Sequence, residues 1–313
     1  MTRAQPPSKV TLLSGGVGGA RLARGMAALL APDRCTVVVN VADDEEIYGL
    51  HVSPDLDTVL YTLAGREGPH GWGVAGDSFE VMERLAELGI DTTFRLGDRD
   101  LATNVYRTLA LESGATLSEI TAGVAASLGV AHPVLPVTDD PIRTRIRVAG
   151  GEWLSFQEYF VARAHRDEVA EVAFTGAEEA VPAPGVLEAV TGADLVVIAP
   201  SNPPLSVWPI LAVPGIREAV AAARTVAVSP LFVGKALKGP ADRVMAGLGL
   251  PPGNAGILAA YEGLVDLLIV DAGDAADVEL LGGAAAEVVA LDTRILTRDA
   301  AASFGRKLME AAS

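Results

Sequence analysis

Two short stretches of this chain carry residue types whose spacing suits chemistry on a phosphorylated ligand. The first is Ser14-Gly15-Gly16-Val17-Gly18-Gly19-Ala20, which follows the apolar run Val10–Leu13 and opens a helix-forming segment. Glycine permits a tight turn and lets a ligand approach the backbone closely. Amides at the N-terminus of the following helix then face an anion. Gly15, Gly16, Gly18 and Gly19 are therefore candidates for contact with a phosphate or pyrophosphate. The pattern departs from a dinucleotide fingerprint, because Arg21 stands at the third glycine position, and from a P-loop, because no Gly-Lys-Ser/Thr follows. A tight turn serving only packing is the plainer reading. Strand, loop and helix in succession favour the phosphate.

The second stretch is acidic. Val37-Val38-Val39-Asn40 runs into Val41-Ala42-Asp43-Asp44-Glu45-Glu46, and Ser53-Pro54-Asp55-Leu56-Asp57-Thr58 follows. A nicotinamide enzyme places Asp or Glu at the end of such a strand to hold ribose hydroxyls; Asn40 stands there instead. Carboxylates from neighbouring loops that face a phosphate loop can hold Mg²⁺ together with waters and substrate oxygens. Asp43, Asp55 and Asp57 are candidate ligands on that ground, and Asp57 or Asp43 is a candidate general base. Plainer readings compete. Glu45 and Glu46 fit a solvated loop, Asp55 fits the N-cap of a helix starting near Leu56, and Asp57 fits its first turn.

These residues need a scaffold. Short Val/Ile/Leu-rich runs at 9–13, 35–41, 195–199, 225–229, 267–271 and 287–291 read as buried strands. Longer Ala/Leu/Glu/Arg segments at 20–30, 78–88, 100–113, 117–128, 216–223, 241–248, 254–261 and 299–312 read as helices. Their alternation predicts an α/β, Rossmann-like, doubly wound and mainly parallel sheet. A mostly helical insertion is expected at about 65–165, with a hairpin near Ala149-Gly150-Gly151. Residues 1–7 read as a flexible tail and 8–313 as a single domain. Pro200-Ser201-Asn202-Pro203 and Ser229-Pro230 lie just past two of the strands, where open α/β sheets bind ligands. Ser201, Asn202 and Ser229 are nucleotide-binding candidates, with ordinary turn chemistry as the alternative.

Composition narrows the partners. With 24 basic and 40 acidic residues the net charge is −16, which argues against general nucleic-acid binding and against docking on an anionic membrane. The single cysteine, Cys35, precludes an intrachain disulfide and a cysteine-based zinc site. A polar start and the absence of a long apolar run point to a cytoplasmic protein. The four histidines show no metal-ligand spacing, and core packing is the expected role of Trp72, Trp153 and Trp208.

Several strings occur in the order found in one family: the glycine loop, Val39-Asn40 with Asp43-Asp44, Ser53–Tyr61, Leu96-Gly-Asp-Arg-Asp100, Pro136–Pro141, Pro200–Pro203 and Val228-Ser-Pro230. From Lys9 onward the chain resembles the 2-phospho-L-lactate or phosphoenolpyruvate transferases of coenzyme F-420 biosynthesis. That resemblance implies a Mg²⁺-dependent enzyme and a homodimer. The acceptor would be the deazaflavin Fo, and the donor a guanosine diphosphate joined to phosphoenolpyruvate-derived or lactate-derived carbon. The donor's substituted phosphate would pass to the ribityl terminal hydroxyl of Fo with release of GMP, giving dehydro-F-420-0 or F-420-0. It also implies that Asp57 and Arg95 bind Fo. Arg99, Arg143 and Arg145 are further sources of positive charge, each with a surface ion pair as the alternative.

A second reading is a non-catalytic nucleotide-sugar-binding regulator similar to the gluconeogenesis-factor family; the Asp55-Leu-Asp57 and Leu96–Asp100 strings count against it. The missing third glycine and Asn40 count against a nicotinamide oxidoreductase. Only four of the basic residues are lysine, a usage typical of GC-rich genomes. By analogy with actinobacterial members of the family, that favours the enolpyruvyl donor.

Overall fold

Seven apolar runs pair side by side, all parallel, in a computed structural model that describes residues 7–237, 239–282 and 286–313. In chain order the strands are β1 (Val10–Ser14), β2 (Cys35–Val39), β3 (Val134–Pro136), β4 (Leu195–Ile198), β5 (Thr225–Val228), β6 (Leu267–Asp271) and β7 (Glu287–Leu291). Every residue of β1, β4, β5 and β6 is buried, as expected for strands covered by helices on both faces. The spatial order is β7-β6-β5-β4-β1-β2-β3. From β1 the chain builds outward through β2 to β3, then returns to the other side of β1 to lay down β4. Val10 pairs with Cys35 on one side and Leu195 on the other. The sheet therefore has its topological switch point between β1 and β4, where ligands bind in open α/β sheets.

The Rossmann-like expectation holds, and most helices fall within a few residues of their expected bounds. Helix α1 (Gly16–Ala27) packs on α2 (Pro54–Ala64) and on the C-terminal helix Arg298–Ala311. Gly25 permits the second crossing, since a Cβ there would lie 2.4 Å from the Ala301 carbonyl oxygen. Next come α3 (Glu80–Glu87), α4 (Asp98–Glu112) and α5 (Leu117–Leu128). Helix α5 opens with a Thr116/Glu119 capping box and ends at Gly129 in the left-handed region (φ 74°).

The segment at about 65–165 carries α3, α4 and α5 and also gives a strand to the main sheet. It contains β3, which the sequence pattern conceals because only three residues, one of them proline, form it. Helix α5 packs against that strand, so both belong to the main sheet. The hairpin Arg143–Val148 with Trp153–Ser155 is present, and Val169–Thr175 pairs on its other edge. Of the tail expected over residues 1–7, residues 1–6 lie outside the described residues. Among the described residues no single helix is long and apolar enough to cross a membrane.

Candidate active site

The loops that leave β1 and β4 are fastened to each other at the switch point. The Ser201 hydroxyl donates to the Gly15 carbonyl (2.7 Å) and accepts from the Gly15 amide (3.2 Å). A Cβ on Gly18 would sit 2.1 Å from the Pro200 carbonyl oxygen. Gly18 is glycine because two backbones meet there. Gly16 turns the chain at φ 61°.

A cavity of about 750 Å³ opens beside this junction. Gly15, Gly16, Gly18, Asp43, Asp55, Asp57, Arg95, Ser201 and Asn202 all line it. Three candidates do not. Gly19 is packed against Ser14 and Ser201, where a Cβ would come within 2.3 Å of the Ser14 hydroxyl. Asn40 is fully buried behind the cavity; its amide donates to Asp55 Oδ2 (3.0 Å) and its oxygen accepts from the Ala42 amide (2.9 Å). Ser229 is fully buried, and its hydroxyl is taken up by Asn254 Oδ1 (2.5 Å) and the Leu231 amide (3.1 Å). Asn40 thus orients a cavity residue, and Ser229 shapes the turn after β5. Asn202 also has a local role, accepting from the Leu205 amide (3.3 Å).

The amides of the glycine loop are partly spoken for. Gly15 N–H points to Ser201, and Gly16 N–H donates to Asp55 Oδ1 at 2.7 Å. Those of Val17 and Gly18, in the first turn of α1, have no intrahelical acceptor and line the cavity. They are the donors left for an anion, so Val17, whose side chain attracts no notice in the sequence, belongs to the site through its backbone.

Helix α2 starts at Pro54 rather than near Leu56, which puts Asp55 inside the first turn instead of at the N-cap. Its carboxylate reaches across to α1. Asp43 accepts from the Thr144 hydroxyl (3.3 Å). Burial, and then the charge of Asp55, push Asp43 well above the ordinary carboxylate range. Burial, with a contribution from Asp44, pushes Asp55 up to about 6. Two buried carboxyls repelling each other at a cavity wall form a place that a cation would stabilise. Among the described residues no three His, Cys, Asp or Glu side chains gather in metal-ligand geometry. The Asp43–Asp55 pair accordingly fits the kind of site in which one or two carboxylates hold Mg²⁺ and substrate phosphate oxygens complete the set.

Asp57 is paired with the guanidinium of Arg107, both almost wholly buried. Arg107 also donates to Asn104 Oδ1 (2.7 Å) and the His51 carbonyl (3.3 Å). Burial raises the Asp57 carboxyl against the opposing pull of Arg107. Asp57 therefore does not stand with Asp43 and Asp55 as an unpaired third ligand.

The string Leu96-Gly-Asp-Arg-Asp100 has a clear structural logic. Asp77 caps α4 through the Arg99 (2.9 Å) and Asp100 (3.1 Å) amides, and Gly97 leaves room for its carboxylate. Asp98 returns the favour to α3, accepting from the Ser78 hydroxyl (2.7 Å) and the Glu80 and Val81 amides (3.1 Å each). Arg99 points to the Ala75 carbonyl (3.4 Å), away from the cavity. Arg95 lines the cavity with its guanidinium over the Phe79 ring, 4.7 Å from the centroid.

Arg143 and Arg145 line a separate pocket of about 190 Å³ with Asp44 and Glu45. Among the described residues, the cations that do face the main cavity, besides Arg95, are Arg21 and Arg294. Arg21 was legible only as an interruption of a glycine motif; burial, then Arg24, lowers its pKa. Trp72 departs from core packing: it is 57% exposed, lines the cavity and stacks on His70 with centroids 5.6 Å apart. Trp153 is exposed beside Arg147, and Trp208 is half-buried and donates to the Ala260 carbonyl (2.9 Å).

Residues 10–309 match the family model described as 2-phospho-L-lactate transferase CofD. A phosphoenolpyruvate transferase of Streptomyces griseus is 40% identical over 312 residues, covering 97% of this chain and 98% of the relative. A 2-phospho-L-lactate transferase of Methanopyrus kandleri is 42% identical over 296 residues, 93% of each. A crystal structure of a UPF0052-family protein from Bacillus halodurans superposes with a TM-score of 0.64 at 19% identity, covering 96% of this chain and 99% of that one. That last likeness concerns the fold alone.

Proposed function

The chain belongs to the 2-phospho-L-lactate transferase CofD family, and from that membership we propose that it transfers a substituted phosphate from a guanosine diphosphate donor to the ribityl hydroxyl of the deazaflavin Fo. The relatives carry transferase names, which leaves the nucleotide-sugar regulator without support. The observation that carries the reading is the convergence on one cavity of the Val17 and Gly18 amides, unpartnered among the described residues, the Asp43–Asp55 pair, Asp57 and Arg95.

The reaction needs little covalent help from the protein. The terminal ribityl oxygen attacks the phosphorus that bears the enolpyruvyl or lactyl group; the bond from that phosphorus to the bridging oxygen breaks, and GMP leaves with the electron pair. Catalysis is then positioning and charge neutralisation. Asp43 and Asp55 would hold Mg²⁺, which when bound supplies positive charge to the phosphoryl oxygens. The Val17 and Gly18 amides, at the positive end of α1, receive the diphosphate. Arg21 adds charge beside them, and Ser201 and Asn202 shape the adjoining wall. Arg95 and Asp57 receive Fo. Asp57 accepts the hydroxyl proton, since Arg107 engages its Oδ1 and leaves Oδ2 without a partner among the described residues.

The donor is taken to be the enolpyruvyl diester, on the arginine-rich composition and the Streptomyces relative. The protein is further taken to act in the cytoplasm as a homodimer. Mass spectrometry of the product made from Fo and each donor tests the donor choice. An unsaturated product two hydrogens lighter than the lactyl compound is expected, and a preference for the lactyl donor would overturn it.

A further inference from the structure

Asp100 lines the cavity beside the groups that serve the transfer. It occupies the third helical position of α4, where a carboxylate commonly serves the helix terminus. Here that task is already performed, because Asp77 caps the Arg99 and Asp100 amides. The Asp100 side chain turns the other way. Its Oδ1 accepts from the Tyr61 hydroxyl (3.0 Å), which is also hydrogen-bonded to Thr103 (2.8 Å). Its Oδ2 has no hydrogen bond among the described residues. Tyr61 lines the cavity with it, and its ring is wholly buried in α2 packing, so the carboxylate is held from one side and open on the other.

The geometry points to Asp100 as an acceptor-binding residue that holds, through Oδ2, a hydroxyl of the polyol chain bearing the attacking oxygen. This rests on the acceptor assigned above. Asp57 and Asp100 face the same cavity, and burial, then the nearby charge of Asp57, pushes the Asp100 carboxyl up to about 7. A hydroxyl-rich chain presents successive O–H donors, and two carboxylate oxygens left unpartnered by the fold are matched to such a ligand. Asp57 takes the terminal hydroxyl, and Asp100 takes a neighbouring one and fixes the chain's direction of approach. Tyr61 is a positioning residue, acting through Asp100. At pH 8 and above, where Asp100 is ionised, a charge-assisted hydrogen bond of this kind corresponds to a loss of about 10- to 100-fold on removal.

The test is initial-rate kinetics of the full chain with acceptor and donor varied separately, using Fo and Fo analogues whose inner ribityl hydroxyls are replaced by hydrogen. Asp100→Ala should raise the acceptor KM about tenfold or more and leave the donor KM unchanged. Asp100→Asn, which retains an acceptor oxygen, should lose less, and Tyr61→Phe should fall between. With the analogue lacking the bound hydroxyl, wild type and Asp100→Ala should perform alike. An unchanged acceptor KM in Asp100→Ala overturns the inference, as does an equal loss with every deoxy analogue. A folding defect would show as a lowered Tm and equal losses toward both substrates, which also counts against it. Failure of the wild-type chain to transfer to Fo would instead remove the transferase reading itself.

Discussion

The amide of Gly16 donates to Asp55 Oδ1 at 2.7 Å, so the glycine loop and the acidic helix α2 are joined by one hydrogen bond. A loop amide that sequence logic offers to a phosphate is used to aim a carboxylate. Asn40, from the end of β2, holds the other oxygen of the same group. Three elements at the switch point therefore fix Asp55 before any ligand arrives.

Asp55 makes the free protein sensitive to pH in a defined direction. Its folded pKa of about 6 lies above the unfolded value, so the native state binds the extra proton. No penalty exists below the unfolded pKa; it grows as pH rises through the window from about 4 to 6 and is complete above it, at on the order of 2–3 kcal/mol. In metal-free buffer, Asp55→Asn should therefore gain stability relative to wild type as pH rises from 4.5 to 7.5. Mg²⁺ should raise the Tm of wild type at pH 7.5 and not that of the variant. Parallel Tm profiles for the two proteins would contradict this.

Asp57 and Arg107 allow structure to be separated from chemistry. Removing one member of a buried pair leaves the other uncompensated, at a cost of about 3–5 kcal/mol. Arg107→Met and Asp57→Asn should each lower stability on that scale. The double variant should recover much of the loss, because no orphaned charge remains. Transfer activity should stay at least about 100-fold down in both proteins lacking Asp57. Restored turnover in the double variant would remove Asp57 from the chemistry.

Trp72 offers an aromatic face to the cavity that Arg95 also lines. A flat ring stacking there gains about 1–3 kcal/mol by analogy with base stacking on aromatic side chains. Trp72→Ala should raise the acceptor KM about tenfold and spare the donor. Fo should quench part of the tryptophan fluorescence of wild type, and that part should vanish in Trp72→Phe. Quenching that persists would assign it to Trp153 or Trp208.

Gly18→Ala should disrupt the site without touching a reactive group. Its Cβ would meet the Pro200 carbonyl oxygen at 2.1 Å, so the β1 and β4 loops must separate. Loss of donor binding with most of the thermal stability retained is expected. Normal donor affinity, measured by calorimetry, would show that the junction is not needed.

The sheet was legible because its strands are continuous apolar runs, and the alternation with helices left few topologies. What escaped was short or set by distant partners. β3 has three residues, one of them a proline, so no period marks it. Ser229 looked like Ser201, since both follow strands; only Asn254, 25 residues on, turns its hydroxyl from the cavity. Arg21 and Arg294 face the cavity from a helix flank and a distant loop, the first showing in the sequence only as a break in a glycine motif and the second with no motif around it. Asp55 and Asp57 were visible as a pair, but Arg107, 50 residues on, distinguishes one from the other.

The most direct test of the central claim is a transfer assay with the purified chain, Fo, the enolpyruvyl guanosine diphosphate and Mg²⁺, following GMP and product together. One GMP should be released for each Fo converted to dehydro-F-420-0, with both signals abolished by chelation and nearly abolished in Asp57→Asn. Binding of nucleotide with no GMP release and no change in the mass of Fo would contradict it.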